Sequence, residues 1–117
     1  MWFDVPVADL YRAAAFYAAV LAVKVHKEQF GDTAFCVLEH HDGNGGCLLV
    51  NPSEVASDKG VLVYLNVNGR ITEAVGAVTQ NGGQVVQAIH SIGPHGFRAI
   101  VRDSEGNRMA LHSMTDG

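Results

Sequence analysis

Asp4, Tyr64, Arg108 and His112 are the side chains of this chain best suited to orient a polar ligand or move a proton. Each lies in a run where apolar and polar residues alternate. Phe3, Val5 and Val7 alternate with Trp2, Asp4 and Pro6, and Val61, Val63, Leu65 and Val67 alternate with Leu62, Tyr64 and Asn66. Met109 and Leu111 alternate with Arg108, Ala110 and His112. Successive side chains of a strand point to opposite faces, so one parity builds a core and the other gathers on a second face. That second face would hold Trp2, Asp4, Leu62, Tyr64, Asn66, Arg108, Ala110 and His112, with Cys47 and Leu49 from another hairpin. A mixed aromatic and polar lining is the composition of a small-molecule site. The same residues would also serve as the wet rim of ordinary strands. Trp2 offers a flat apolar ring and one N–H, suited to stacking a planar or cationic ligand, or it simply fills space.

Further groups lie outside these runs. The loop "HSIGPHGF" holds His90, His95 and Phe97, and its Gly and Pro residues fix a path that could edge a pocket, with His95 on the rim. Arg98 follows on the next strand and would meet an anionic group if it points to the same face. His40, His41 and Asp42 resemble a metal cluster, but adjacent histidines on a strand point apart, and a solvated turn is expected there. Cys36 and Cys47 lack C-x-x-C spacing, and a bridge between adjacent antiparallel strands is strained, so two buried thiols are expected. No cation-rich setting that would activate a thiol is visible.

The elements that must position these groups follow from local signals. Asp9 stands as an N-cap before Leu10, Ala13, Ala14, Tyr17, Val20 and Leu21, which recur at helical spacing. "FGDTAFCVLEHHDGNGGCLLVNP" reads as two strands around a turn rich in residues that tolerate positive φ. A strand over 61–67 leads to a second amphipathic helix through Ile71, Ala74, Val75 and Val78, closed by Gly82 or Gly83. "QVVQAIH" is a strand, "SIGPHG" a loop, and "FRAIVRD" and "NRMALHS" a hairpin through "SEGN". Val7 matches Val67 and Lys24 matches Gln84, a spacing of 60 residues, which points to an internal duplication of strand, helix and three strands. We expect repeat one over about 1–53, a polar linker over about 53–60 ("SEVASDKG") and repeat two over about 61–114, within one domain of 117 residues.

Bulk properties exclude several classes. With 48% hydrophobic and 17% charged residues the composition is globular. The net charge is −4 and the eight Lys and Arg are scattered, so a nucleic-acid surface is not expected. The apolar run Ala13–Val23 is far short of the roughly 20 residues that span a bilayer, and no membrane partner is expected. No secretory signal opens the chain, and the cysteine usage fits a reducing, cytoplasmic setting. Because "MWFDVPV" starts almost inside a strand, a short leader before it is expected.

Two strand–helix–strand–strand–strand units in this length resemble the vicinal oxygen chelate superfamily of glyoxalases, bleomycin- and fosfomycin-resistance proteins and extradiol dioxygenases. The resemblance rests on "FDVPVADLYRAAAFYAAVLAVKV", "ITEAVGAVTQNGGQVV" and "GPHGFRAIVRDSEGNRMALHS", which cover nearly the whole chain. Ala22 stands where the family often has Gly. The resemblance implies an α+β fold in which two tandem βαβββ units form a curved, cup-like mixed sheet with helices on the convex side. It also implies four metal-ligand positions on the concave face, usually His and Glu. Matching the "V-x-D-L" and "G-N-R" phrases places them at Trp2, about Leu49, Leu62 and Ala110, none of which can hold a metal.

Three functions follow as expectations. The first is a metal-free member that binds a small organic molecule, as the bleomycin-resistance branch does, with Trp2, Asp4, Leu49, Leu62, Tyr64, Asn66, His95, Arg98, Arg108, Ala110 and His112 as the lining and no cofactor. The second is a metal-free enzyme using Asp4, Tyr64 or His112 for proton transfer on a carbonyl-type substrate. The third is a metal-dependent glyoxalase- or dioxygenase-type lyase or oxidoreductase with relocated ligands. The resemblance further implies a homodimer.

Overall fold

The computed structural model describes residues 2–39, 45–55 and 60–117. The first unit runs β1 (Trp2–Val7), α1 (Leu10–Leu21), β2 (Val25–Phe30), β3 (Thr33–Leu38) and β4 (Gly45–Val50). A single 3-10 turn (Pro52–Glu54) follows. The second unit repeats the order as β5 (Val63–Asn66), α2 (Ile71–Gln80), β6 (Gln84–Ser91), β7 (Phe97–Arg102) and β8 (Arg108–Ser113), with a 3-10 turn (Gly93–His95) before β7. Each unit is a four-stranded mixed sheet, ordered β1-β4-β3-β2 and β5-β8-β7-β6. In each, the first strand pairs in parallel with the last, and the other pairs are antiparallel. The α+β cup of two βαβββ units is therefore built from two sheets, each covered by its own helix, with the helices packed on each other.

Local chemistry explains the helix ends. The Asp9 carboxylate accepts from the Arg12 amide at 3.1 Å, the expected N-cap of α1. Ala22 closes α1 in the left-handed region, with φ 54° and ψ 44°. After α2, Gly82 turns the chain with φ +88°, and the Gly83 amide returns to the Val78 carbonyl at 2.8 Å.

The core is one cluster shared by both units. Val5, Val7, Phe16, Tyr17 and Leu48 come from the first, and Val67, Ile71, Val78, Val101 and Leu111 from the second. These residues have the parity or helical phase that the alternation predicts. Two expectations are corrected. Val61 was expected to face the core, but it is 89% exposed, because β5 begins at Val63, opposite Met109. The ladder stops there because the β7–β8 turn begins just before Arg108. β6 holds His90, as the strand "QVVQAIH" predicts, but it runs on to take in Ser91 of the expected loop "SIGPHG", through two register shifts against β7. His40, His41 and Asp42 lie outside the described residues, as do residues 56–59 of the linker. Among the described residues, no helix is long and apolar enough to cross a membrane.

Candidate functional site

On the face of the second sheet turned away from the helices, β8 presents Arg108, Ala110 and His112. Register sets Tyr64 beside Ala110 and Asn66 beside His112. On the other side, β7 sets Arg98 opposite His112, Ile100 opposite Ala110 and Arg102 opposite Arg108. His90 of β6 completes the Arg98 row. The Arg98 guanidinium donates through Nε to His90 Nε2 at 3.0 Å and through Nη1 to the Tyr64 hydroxyl at 2.5 Å. Its carbon lies 6.0 Å from the Tyr64 ring centre, within cation–π range. The Tyr64 and His112 ring centres are 6.4 Å apart.

Hydrogen bonds select the histidine tautomers. His112 Nε2 lies 2.6 Å from the His95 carbonyl, which can only accept, so that nitrogen carries the proton. His90 Nδ1 lies 2.8 Å from the Ala88 carbonyl while its Nε2 accepts from Arg98, so its proton is on Nδ1. Both rings are held by backbone, and their orientation is fixed by the strands that carry them.

On the first sheet, β1 and β4 set Asp4 beside Cys47 and Pro6 beside Leu49. Asp4, Pro6, Leu49, Asn51 and Glu54 line an open hollow of about 350 Å³. The Cys47 thiol donates to Asp4 Oδ1 at 3.4 Å. Burial, then the hydrogen bond to Asp4 and its charge, push that thiol up to about 11, so it is no nucleophile at neutral pH. Trp2, at the start of β1, is 52% exposed. Cys36 pairs with Leu48 and therefore faces the helix side, away from Cys47, and both thiols are free.

The expected lining thus divides. Tyr64, Arg98, Arg108, Ala110 and His112 share the second sheet, and Asp4 and Leu49 share the hollow on the first. Leu62 precedes β5 rather than lying in it. The Asn66 side chain accepts from the Asn68 amide at 2.9 Å, shaping the turn into α2. His95 meets His112 through its carbonyl, not its ring. Among the described residues, no hydrogen bond joins Asp4 to Tyr64 or His112.

The four positions that the resemblance assigns to metal ligands carry Trp2, Leu49, Leu62 and Ala110. Indole and alkyl groups have no lone pair for a divalent cation, and Ala110 is fully buried. Among the described residues, no three His, Cys, Asp or Glu side chains gather closely enough to hold one. These residues do not fit a metal ion.

One cluster escaped the sequence reading. The Glu105 carboxylate accepts from the Ala8 and Asp9 amides at 2.9 and 2.7 Å, and from Arg12 Nε and Nη2 at 2.6 and 2.8 Å. Asp103 takes the Tyr17 hydroxyl at 2.5 Å, and the Asn107 amide group donates to the Pro6 carbonyl at 2.7 Å. The "DSEGNR" turn therefore clamps the second unit to β1 and α1 of the first. Its signal was the turn motif itself, whose partners lie far away in sequence.

Comparison with known proteins agrees with this architecture. The family described as "Glyoxalase-like domain" matches residues 1–112. A glyoxylase-like domain-containing protein from Didymella fabae is 28% identical over 114 residues, covering 92% of this chain and 88% of that protein. The structure of hypothetical protein SA1046 from S. aureus superposes with TM-score 0.75 at 22% identity, covering 95% of this chain and 90% of that one. A glyoxalase/bleomycin resistance protein/dioxygenase family enzyme from Burkholderia phytofirmans PsJN gives 0.74 at 14% identity, covering 97% and 96%. With the family match running from β1 into β8, the chain belongs to the glyoxalase-like domain family within the vicinal oxygen chelate superfamily.

Proposed function

We propose that this chain binds a small organic molecule on the open face of its two sheets, without the divalent metal of its superfamily. The observation that carries this reading is the set Trp2, Leu49, Leu62 and Ala110 at the four ligand positions, while the first sheet keeps Asp4 and the second keeps Tyr64, Arg98, Arg108 and His112. Equilibrium dialysis against nickel, zinc and manganese tests it: no metal is retained at one per chain, and micromolar retention of any of the three contradicts the reading.

A second reading, proton transfer without a metal, is favoured by one observation. The His112 Nε2–H is fixed on the His95 carbonyl, which leaves Nδ1 as the unprotonated nitrogen of an oriented base. On that reading His112→Ala abolishes turnover of a carbonyl-type substrate while ligand affinity stays within twofold. The functional unit is a homodimer, supported by exposed Trp2, Val61 and Tyr64 on or beside the edge strands β1 and β5. Two free thiols suit a reducing, cytoplasmic setting.

A further inference from the structure

The side chain of Arg98 lies across the second sheet rather than pointing away from it. The strand order is β5-β8-β7-β6. From β7, Arg98 donates through Nε to His90 on the neighbouring β6, and through Nη1 to the Tyr64 hydroxyl on β5, two strands away on the other side. Two strand spacings are roughly 10 Å, so the guanidinium passes over β8. Register sets Arg98 opposite His112 and Tyr64 opposite Ala110, so the crossing runs over the stretch between those two residues. Ala110 is one of the four positions that the resemblance assigns to metal ligands, and a methyl group is all it places beneath the crossing.

Both partners of Arg98 are uncharged. His90 accepts on Nε2 and keeps its proton on Nδ1, 2.8 Å from the Ala88 carbonyl. Among the described residues, no carboxylate lies within ion-pair distance of Arg98. The four acids of residues 61–117, Glu73, Asp103, Glu105 and Asp116, lie on α2, in the β7–β8 turn and after β8. The charged and titratable groups that share the face are Tyr64 from β5, His90 from β6, Arg102 from β7, and Arg108 and His112 from β8. The Arg98 charge is thus oriented without being neutralised. Two donors are left over. Arg98 Nη2 donates to no described residue, and the Tyr64 hydroxyl, which accepts from Arg98, gives its own hydrogen to none of them. Tyr64 is 45% exposed and Arg98 is only partly buried, so both are open to a ligand.

We propose that Arg98 supplies, as a fixed cation, the positive charge that a metal would otherwise bring to this cup, and that with the Tyr64 O–H it binds the ionised oxygen of a phenol or enol. The proposal rests on the binding reading above and gives the ligand a chemical class: a compound with an acidic hydroxyl on an sp² carbon. A nearby cation favours the ionised form of an acid, and a hydrogen bond from a charged donor is roughly twice as strong as a neutral one. Donors already held in place cost no reorganisation when the ligand arrives. With Nε engaged by His90, Nη2 and the Tyr64 O–H each offer one donor, which suits a single oxygen better than the paired oxygens of a carboxylate. The ligand's proton passes to solvent, and no covalent bond to the protein forms. His90 acts through Arg98, as a positioning residue.

The test is a spectrophotometric titration of the whole chain with 4-nitrophenol, whose phenolate is yellow and whose phenol is colourless, between pH 5 and 9. Bound 4-nitrophenol ionises at least about one pH unit below the free compound, a tenfold preference for the anion. At pH 8 it binds at least tenfold tighter than 4-nitroanisole, which has no hydroxyl to ionise. Arg98→Gln, shown to be folded by its backbone NMR spectrum, loses the downward shift. Tyr64→Phe, which deletes only the hydroxyl, weakens phenolate binding threefold or more, and full affinity in this variant overturns the site even where Arg98→Gln does not fold. Bound 4-nitrophenol that ionises at or above the pH of the free compound contradicts the oxyanion site, and 4-nitroanisole binding equally well then leaves the binding reading standing. A shift that survives in folded Arg98→Gln removes Arg98 as the cation, and benzoate binding tighter than the phenolate overturns the ligand class. If no probe binds, the oxyanion site is wrong, and the dialysis against nickel, zinc and manganese reports separately on the binding reading.

Discussion

Ala22 holds φ 54° and ψ 44° at the end of α1, where a Cβ costs about 1 kcal/mol and glycine sits without strain. The sequence marked this position as a departure from the family's usual Gly, and the backbone supplies the reason for the Gly. Ala22→Gly should raise stability by about 0.5–1 kcal/mol in urea denaturation, and an unchanged or lower midpoint would contradict the strain. Cys47 makes a second residue-scale prediction. Held at about 11 against an ordinary 9.0, its thiolate population is about a hundredfold below that of a free cysteine. At pH 8, iodoacetamide should label Cys47 at least about a hundredfold more slowly than free cysteine; comparable rates would show that the thiol is neither buried nor beside Asp4. Parity along β1, β5 and β8 was readable because a strand has a period of two. The tautomers of His90 and His112 were not, since they depend on carbonyls that only the folded chain brings near.

At the scale of elements, the β7–β8 turn is a polar tie between the units, beside the shared core. Burial acts to raise the Glu105 carboxyl, but hydrogen bonds from Arg12, the Asp9 and Ala8 amides and Ser104 outweigh it and hold the group at about 2, below its ordinary 4.5. The side chain is fully covered while Arg12 is half exposed, so solvent screening reduces the gain to about 1–2 kcal/mol. A lowered folded value means that this stability is complete above pH 4.5 and is lost as pH falls through about 2. Glu105→Gln should therefore lower stability by about 1–2 kcal/mol at pH 7 and flatten the decline between those pH values. A variant that keeps the wild-type acid profile would remove Glu105 from this role. Tyr17→Phe strips one donor from buried Asp103 and should cost about 1–3 kcal/mol by thermal or chemical denaturation; a cost near zero would show that the bond is not formed. "DSEGNR" was legible as a turn, but its partners Ala8, Asp9 and Arg12 lie more than 90 residues away, beyond any local pattern. The late start of β5 at Val63 was hidden for the opposite reason, because Val61 keeps the alternation after the ladder has ended.

For the whole molecule, the repeat spacing of 60 residues was enough to read two βαβββ units, because each unit carries its own strand and helix periods. The site was legible only as a face. Which residues meet on it required the register across β5–β8–β7–β6, including the shifts along β6 that bring His90 opposite Arg98. The central claim is that the open faces of both sheets bind an organic molecule and hold no metal. Native mass spectrometry of protein purified without added metal or chelator tests this most directly, since it reports subunit count, metal and retained small molecules together. The account predicts a dimer without stoichiometric metal that carries a small organic molecule. One metal ion per chain, lost only to a chelator, would contradict it.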